Sequence, residues 1–210
     1  MKISRIDGSL AISGLRSNSF LIVERGECCV IDPSFEYAYV EEFLRAEFGR
    51  DIAIRSVVLT HCHADHCAGL ETFAGATVFL TPQTAAGLDD SSISLSEAIL
   101  HKLKVDLPKD GRVEYLTEGD FEPLTGVRAK AIFTAGHTSD SISVILGEDV
   151  FVGDLAFAGG GIGRVDLATG NARAMRESLD WLCSLPSNMV VHSGHGEDFL
   201  LGDFVLDFSK

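Results

Sequence analysis

Positive charge is scarce in this chain. Its 17 lysines and arginines face 31 aspartates and glutamates, a net charge of −14 over 210 residues. That balance argues against non-specific nucleic-acid binding and against anionic membrane surfaces, since both need cations to meet phosphate. Proline is equally rare, with five residues, and no Pro/Ser-rich linker, charge block or repeat interrupts the chain. No apolar run approaches the ~18 residues that span a bilayer. No apolar stretch follows the early basic residues Lys2 and Arg5, so no secretory leader is expected. Asn18, Asn171 and Asn188 all lack the Ser or Thr of a glycosylation sequon. The cysteines are odd in number (Cys28, Cys29, Cys62, Cys67 and Cys183), which fits free thiols in a cytoplasmic protein better than a disulfide framework.

What is present is a core. The apolar share is 46%, too high for a disordered chain and enough for one domain covering residues 1–210. Residues 19–24 and 27–32 flank Arg25-Gly26 and read as a β-hairpin. Tyr37, Val40, Phe43, Leu44 and Phe48 form a helical stripe. Residues 56–60 read as a buried strand, 66–73 as a helix and 77–80 as the next strand. Residues 82–112 are an irregular excursion that suits a lid, with a helix expected over 94–105 from Leu95, Ala98, Ile99 and Leu103. Strands follow at 127–133, 141–146, 150–153 and 189–191. A helix over 171–185 is capped by Asn171 and carries Met175, Leu179 and Leu182 inward. Trp181 belongs with that core. Strand-rich halves with interspersed helices predict packed α and β layers.

Five of the seven histidines fall in three short segments: Thr60-His61-Cys62-His63-Ala64-Asp65-His66, Gly136-His137-Thr138, and Gly194-His195-Gly196. A carboxylate, Asp154, closes an apolar strand after Gly153. Imidazole and carboxylate suit zinc, iron or manganese. In extended backbone His61 and His63 point the same way and can grip one ion together. Asp65 and His66 lie beyond the turn and can reach a second.

These segments carry a resemblance. The chain resembles the metallo-β-lactamase-fold hydrolases, and within them the glyoxalase II-like branch. The likeness extends from Val30-Ile31-Asp32-Pro33 through the histidine cluster to Gly163-Arg164-Val165-Asp166, the last pointing to that branch. It implies an α/β fold: a four-layer αβ/βα sandwich of two mixed sheets flanked by helices. It also implies two divalent ions, of which zinc is the first expectation and iron or manganese the alternatives. His61, His63 and His137 would hold the first ion, Asp65, His66 and His195 the second, and Asp154 would bridge them. A hydroxide between the ions would be the nucleophile, oriented by Asp65. Asp32 fits either a residue fixing a ligand histidine or a turn residue before Pro33. Arg164 and Asp166 either line the pocket or pair with each other, the pairing being the simpler reading.

Other signals have ordinary explanations. Cys62 alternates away from its histidine neighbours and reads as filler, and Cys28-Cys29 as strand packing. His192 stands where the family usually keeps a proline and reads as a hydrogen-bonded loop histidine; His101 reads as surface. The glycines at 159–161 match no phosphate loop and read as a turn beside the metals.

The branch implies hydrolysis of a thioester, such as an acylglutathione or another small acyl thioester. The sequence ends fifteen residues past His195, without the helical extension that supplies glutathione contacts in the family's full-length enzymes. A related ester or lactone therefore fits as well. The rival activity is a persulfide dioxygenase with one iron on His61, His137 and Asp154. Further rivals are a nuclease, disfavoured by charge, and a β-lactam hydrolase, disfavoured by the expected lack of a leader. The non-enzymatic alternative is a metal-binding protein with a relict site, which seven filled ligand positions disfavour.

Overall fold

The hairpin is where the fold is most local. Ser19–Glu24 (β2) and Glu27–Ile31 (β3) pair antiparallel, with Phe20 opposite Ile31 and Glu24 opposite Glu27. Arg25 and Gly26 turn the chain with φ of 51° and 85°, the left-handed pair that matches strand twist in a two-residue turn. Strands then accumulate around it. In this computed structural model, which describes residues 1–10 and 16–205, Lys2–Ile6 (β1) joins β2 on the outer side. Ala53–Val58 (β4), Thr77–Leu80 (β5) and Arg112–Tyr115 (β6) extend the sheet from β3 in parallel.

The second sheet is built from Gly119–Leu124 (β7), Val127–Phe133 (β8), Ile142–Leu146 (β9), Asp149–Gly153 (β10), Val190–Ser193 (β13) and Phe199–Leu200 (β14). Their order is β14-β13-β10-β9-β8-β7, and β10 with β13 is its parallel pair. A small hairpin, Ala156–Phe157 (β11) with Gly161–Ile162 (β12), stands outside both sheets.

Period-two alternation sorts the strand residues into layers. Leu21, Val23, Cys28 and Val30 face one cluster with Val40 and Leu44 of the helix Tyr37–Phe48 (α1). Phe20, Ile22, Cys29 and Ile31 face the opposite way, toward Ala129, Ile142, Val144 and Phe151 of the second sheet. The other face of that sheet, with Val150, Val152 and Val191, packs on Met175, Leu179 and Leu182 of the helix Ala172–Cys183 (α6). The result is the expected four-layer αβ/βα sandwich. Each fully buried side chain of this size contributes roughly 1.5–3 kcal/mol. The adjacent cysteines 28 and 29 thus serve two different cores, as strand packing requires.

Some local expectations give way. The helix expected over 66–73 is split into Ala64–Cys67 (α2) and a 3₁₀ turn at Leu70–Thr72. Gly69 forces the break: its backbone packs directly on the carbonyl of Phe35, and its N–H donates to Pro33 O at 2.9 Å. The helix expected over 94–105 shrinks to Ser96–Leu100 (α5), preceded by Pro82–Leu88 (α3) and Ser91–Ser94 (α4). Leu95 and His101 sit in left-handed backbone at either end of α5, with φ of 60° and 56°, which ends helical propagation. Leu103, expected on the buried face, is 74% exposed. The excursion is anchored instead by Leu88 and Val105, which join the first cluster. Trp181 is only partly buried against the third. Among the described residues no helix is long and apolar enough to cross a membrane.

Candidate metal centre

Four chain segments deliver the site, each just past a strand. The β4 exit carries His61 and His63, and α2 begins immediately with Asp65 and His66. The β8 exit carries His137, the β10 exit Asp154, and the β13 exit His195. The pairings make β8, β10 and β13 run the same way, so their exits share one edge of the second sheet. Backbone bonds lock the loops together: Ile142 N–H to Thr60 O at 2.9 Å, Gly194 N–H to Gly153 O at 2.8 Å, and Asn171 N–H to Gly136 O at 2.8 Å. Asn171 also caps α6, accepting from Arg173 and Ala174, and Ser178 Oγ donates to Ala135 O at 2.7 Å beside His137.

All seven expected residues meet. His61, His63 and His137 form one group whose ligand atoms lie within 4.8 Å of one another; Asp65, His66 and His195 form another. His61, His66 and Asp154 make a third group, overlapping both. Asp154 faces both sides: Oδ1 is 3.2 Å from His66 Nε2, while Oδ2 is 3.6 Å from His137 Nε2 and 3.6 Å from His195 Nε2. Asp65 Oδ2 is 3.1 Å from His195 Nε2. His137 Nε2 and His63 Nδ1 face each other at 2.9 Å.

A second ring of contacts fixes the imidazoles. His66 Nδ1–H donates to Asp32 Oδ2 at 2.8 Å, and His137 Nδ1–H to Arg164 O at 2.8 Å. His61 Nδ1 meets Thr60 Oγ1 at 3.1 Å, and that hydroxyl donates to Asp32 Oδ2 at 2.7 Å. Each bond leaves the opposite nitrogen, Nε2, free to face the centre. Asp32 is therefore an anchor, and its turn role holds too: it sits at φ 53° and its carbonyl accepts from Ser34 N–H at 2.7 Å. Arg164 and Asp166 pair with each other at 2.7 Å, both largely exposed, as the simpler reading expects. Cys62 is buried, its thiol 3.6 Å from Asp140 Oδ1, as filler should be.

Buried His61 Nε2 has no hydrogen-bond partner, and His66 Nε2 and Asp154 Oδ1, 3.2 Å apart, form no well-aligned hydrogen bond with each other or with any third group. Leaving such atoms unsatisfied costs roughly 1–3 kcal/mol each. A cation would satisfy all three, so the donor set fits a metal ion. The electrostatics agree. Burial, aided by the neighbouring imidazoles, holds His61 well below its ordinary range, and burial with His137 pulls His63 down to about 4. Burial opposes charge on Asp154 and Asp65 as well. It is outweighed by His66 and His195, and both carboxyls stay below the usual carboxylate range. On His66 burial is likewise outweighed, by Asp154, Asp65 and Asp32, and its affinity for a proton rises. A metal ion would displace that proton.

The cluster is that of a known family. A family model described as the Metallo-beta-lactamase superfamily matches residues 12–195. The chain belongs to this superfamily. Among curated metallo-beta-lactamase relatives, the chain is 29% identical to Probable metallo-hydrolase YqgX of Bacillus subtilis (strain 168), covering 90% of this chain and 89% of that one. It is 29% identical to a hydroxyacylglutathione hydrolase of Synechococcus sp. (strain CC9902), covering 88% of this chain and 68% of the enzyme. Two solved superfamily structures share the fold. One is the BLEG-1 B3 metallo-beta-lactamase, with TM-score 0.81 and 24% identity over 96% of this chain and 95% of that chain. The other is TTHA1623 in a di-iron-bound form, with TM-score 0.77 and 26% identity over 95% and 96%.

Sequence reasoning missed Thr60, which relays Asp32 to His61, and Phe157, whose ring lies 6.1 Å from that of His195. Thr60 had a signal, a hydroxyl beside the first histidine; Phe157 had none. Asp32→Ala is expected to weaken metal binding roughly 10- to 100-fold by releasing His66 and Thr60. A chelator-competition titration checks this, and unchanged affinity would return Asp32 to a turn residue alone.

Proposed function

We propose that this protein is a hydrolase of small acyl thioesters, acylglutathiones among them, working with two divalent ions. The observation that carries the reading is Asp154, whose two carboxylate oxygens face histidines of two different groups. Charge supports two ions rather than one. Asp32, Asp65 and Asp154 bring three negative charges, and among the described residues no lysine or arginine pairs with them. One dication with the His66 proton retained would leave the centre neutral; two, with that proton displaced, would leave it positive, the sign that favours an anionic nucleophile. His61, His63 and His137 would hold the first ion, Asp65, His66 and His195 the second, and Asp154 both.

When bound, the ions lower the pKa of a coordinated water toward neutrality and neutralise charge developing on the carbonyl oxygen. The chain's own groups do the rest. Asp65, 3.1 Å from His195 Nε2, orients the attacking water and accepts its proton at a carboxylate oxygen. Asp32, Thr60 and Arg164 O keep His66, His61 and His137 in the tautomer that presents Nε2. Phe157 gives the acyl group an apolar wall beside His195. The resemblance to hydroxyacylglutathione hydrolases supports a thioester over other carbonyl substrates, and the net charge of −14 disfavours a polyanionic one.

The test is thiol release from a panel of acyl thioesters, S-lactoylglutathione included, with metal-loaded protein. Turnover that chelator abolishes and zinc, manganese or iron restores is expected; no release from any thioester would overturn the reading. Asp65→Ala should lower that turnover on the order of 10²- to 10⁴-fold, the range for a positioned acid–base group. The rival single-iron dioxygenase would use His61, His137 and Asp154, whereas the two-histidine, one-carboxylate group whose ligand atoms lie within 4.8 Å of one another is His61, His66 and Asp154. For that rival, Asp65→Ala would retain oxygen uptake with glutathione persulfide.

A further inference from the structure

His195 is held differently from His61, His66 and His137. His61 and His66 are fully buried, whereas the His195 side chain is 42% exposed. Among the described residues no hydrogen bond fixes its Nδ1, whereas Thr60, Asp32 and Arg164 O fix those of His61, His66 and His137. Its position is set through the backbone of residues 193–198. That backbone is gripped from the opposite sheet. Asn18, 1% exposed at the entry to β2, spends its amide nitrogen there. Its Nδ2 donates to Ser193 O at 2.9 Å and to Gly196 O at 3.0 Å, while its Oδ1 accepts from Gly8 N–H at 3.0 Å. Its own N–H donates to Gly194 O at 2.7 Å.

Arg5 of β1 reaches the far side of the same turn. Its guanidinium donates to Gly196 O at 3.2 Å and to Glu197 at 2.7 Å, and lies 3.4 Å from Asp198 Oδ1. His192 completes the arrangement. Rather than a loop residue, it is a buried member of β13, stacked on Phe151 at 4.6 Å between ring centroids. Its Nε2 meets Asp149 Oδ1 at 2.8 Å and its Nδ1 lies 3.2 Å from Asp198 Oδ2. Asp149 opens β10, whose exit carries Asp154, so His192 ties the His195 turn to the strand that leads to the bridging carboxylate.

We propose that Asn18, Arg5 and His192 are positioning residues that clamp the 193–198 turn and so control how tightly the second ion is held. The inference rests on the two-ion reading. Without the clamp, His195 has no side-chain anchor to keep it 3.1 Å from Asp65, and the ion shared by Asp65, His66 and His195 loses a fixed ligand. The ion on His61, His63 and His137 does not depend on this turn.

The test is site-resolved cobalt binding, followed by visible absorption and chelator competition, in wild type, Arg5→Ala and Asn18→Ala. The ion on Asp65, His66 and His195 should lose affinity roughly 10- to 100-fold, as for other residues that orient metal ligands, while the ion on His61, His63 and His137 is unchanged. Arg55→Ala, which removes the distant pair with Glu27 (2.9 Å), should leave both affinities unchanged. Unaltered binding of the second ion in both clamp variants would overturn the clamp, as would equal weakening of both ions. Wild-type protein that takes up one ion only would overturn the two-ion reading instead. Amide hydrogen exchange then decides the clamp: faster exchange at Gly194–Gly196 in Arg5→Ala supports it, and unchanged exchange refutes it.

Discussion

Replacing Asp154 by alanine is expected to cost the protein both of its ions and at least about 10³-fold in turnover. The side chain is 10% exposed; Oδ1 faces His66, and Oδ2 faces His195 of the same group and His137 of the other, so the carboxylate reaches both groups. No other carboxylate reaches across: Asp65 lies with His66 and His195, and Asp32 sits behind His66. Removing Asp154 also leaves buried imidazoles facing one another without the negative charge that holds ions between them. Asp154→Asn is the sharper form, since it keeps the shape but supplies a neutral amide. Elemental analysis and turnover of both variants check the expectation; wild-type metal content in either would contradict the bridging role.

Gly194→Ala should be nearly as damaging, although the substitution adds one methyl group outside the ligand set. A Cβ at this position would overlap Asp154 Oδ1 and the ring of His66. The backbone cannot retreat, because Gly194 N–H donates to Gly153 O at 2.8 Å and Gly194 O accepts from Asn18 N–H at 2.7 Å. The carboxylate, the ring or the turn must move. Overpacking of this kind costs roughly 1–3 kcal/mol in stability. Displaced ligands should lower affinity for metal on the order of 10²-fold, the upper range for disturbed ligand orientation. Metal content after dialysis and the melting temperature of the loaded protein read the two effects separately. A variant that keeps two ions at wild-type affinity would show that the turn has slack this geometry denies.

These expectations start from residues legible in the sequence. His61, His63, Asp65 and His66 are adjacent, so one loop after one strand dictates their meeting. His137, Asp154 and His195 are distant, and it was the resemblance that joined them; the structure brings them to one edge because β8, β10 and β13 run the same way. β2 and β3 are legible as continuous apolar runs because both of their faces have a core to fill. The 94–105 helix was misread because left-handed turns at Leu95 and His101 override a plausible apolar stripe. The edge strands β1 and β6 are only partly buried, and β14 has two residues, so no apolar run marks them. Asn18 and Arg5 were invisible for another reason: their partners lie more than 170 positions away, and no local pattern marks a side chain that serves a distant backbone.

The central claim is a two-ion centre bridged by Asp154. Its most direct test is elemental analysis of protein stripped by chelator, reloaded with zinc, manganese or iron, and freed of excess metal. Two ions per chain are expected in the wild type, one in His195→Ala, and fewer than one in Asp154→Ala. A single ion per wild-type chain with every metal, or two ions retained in Asp154→Ala, would contradict it.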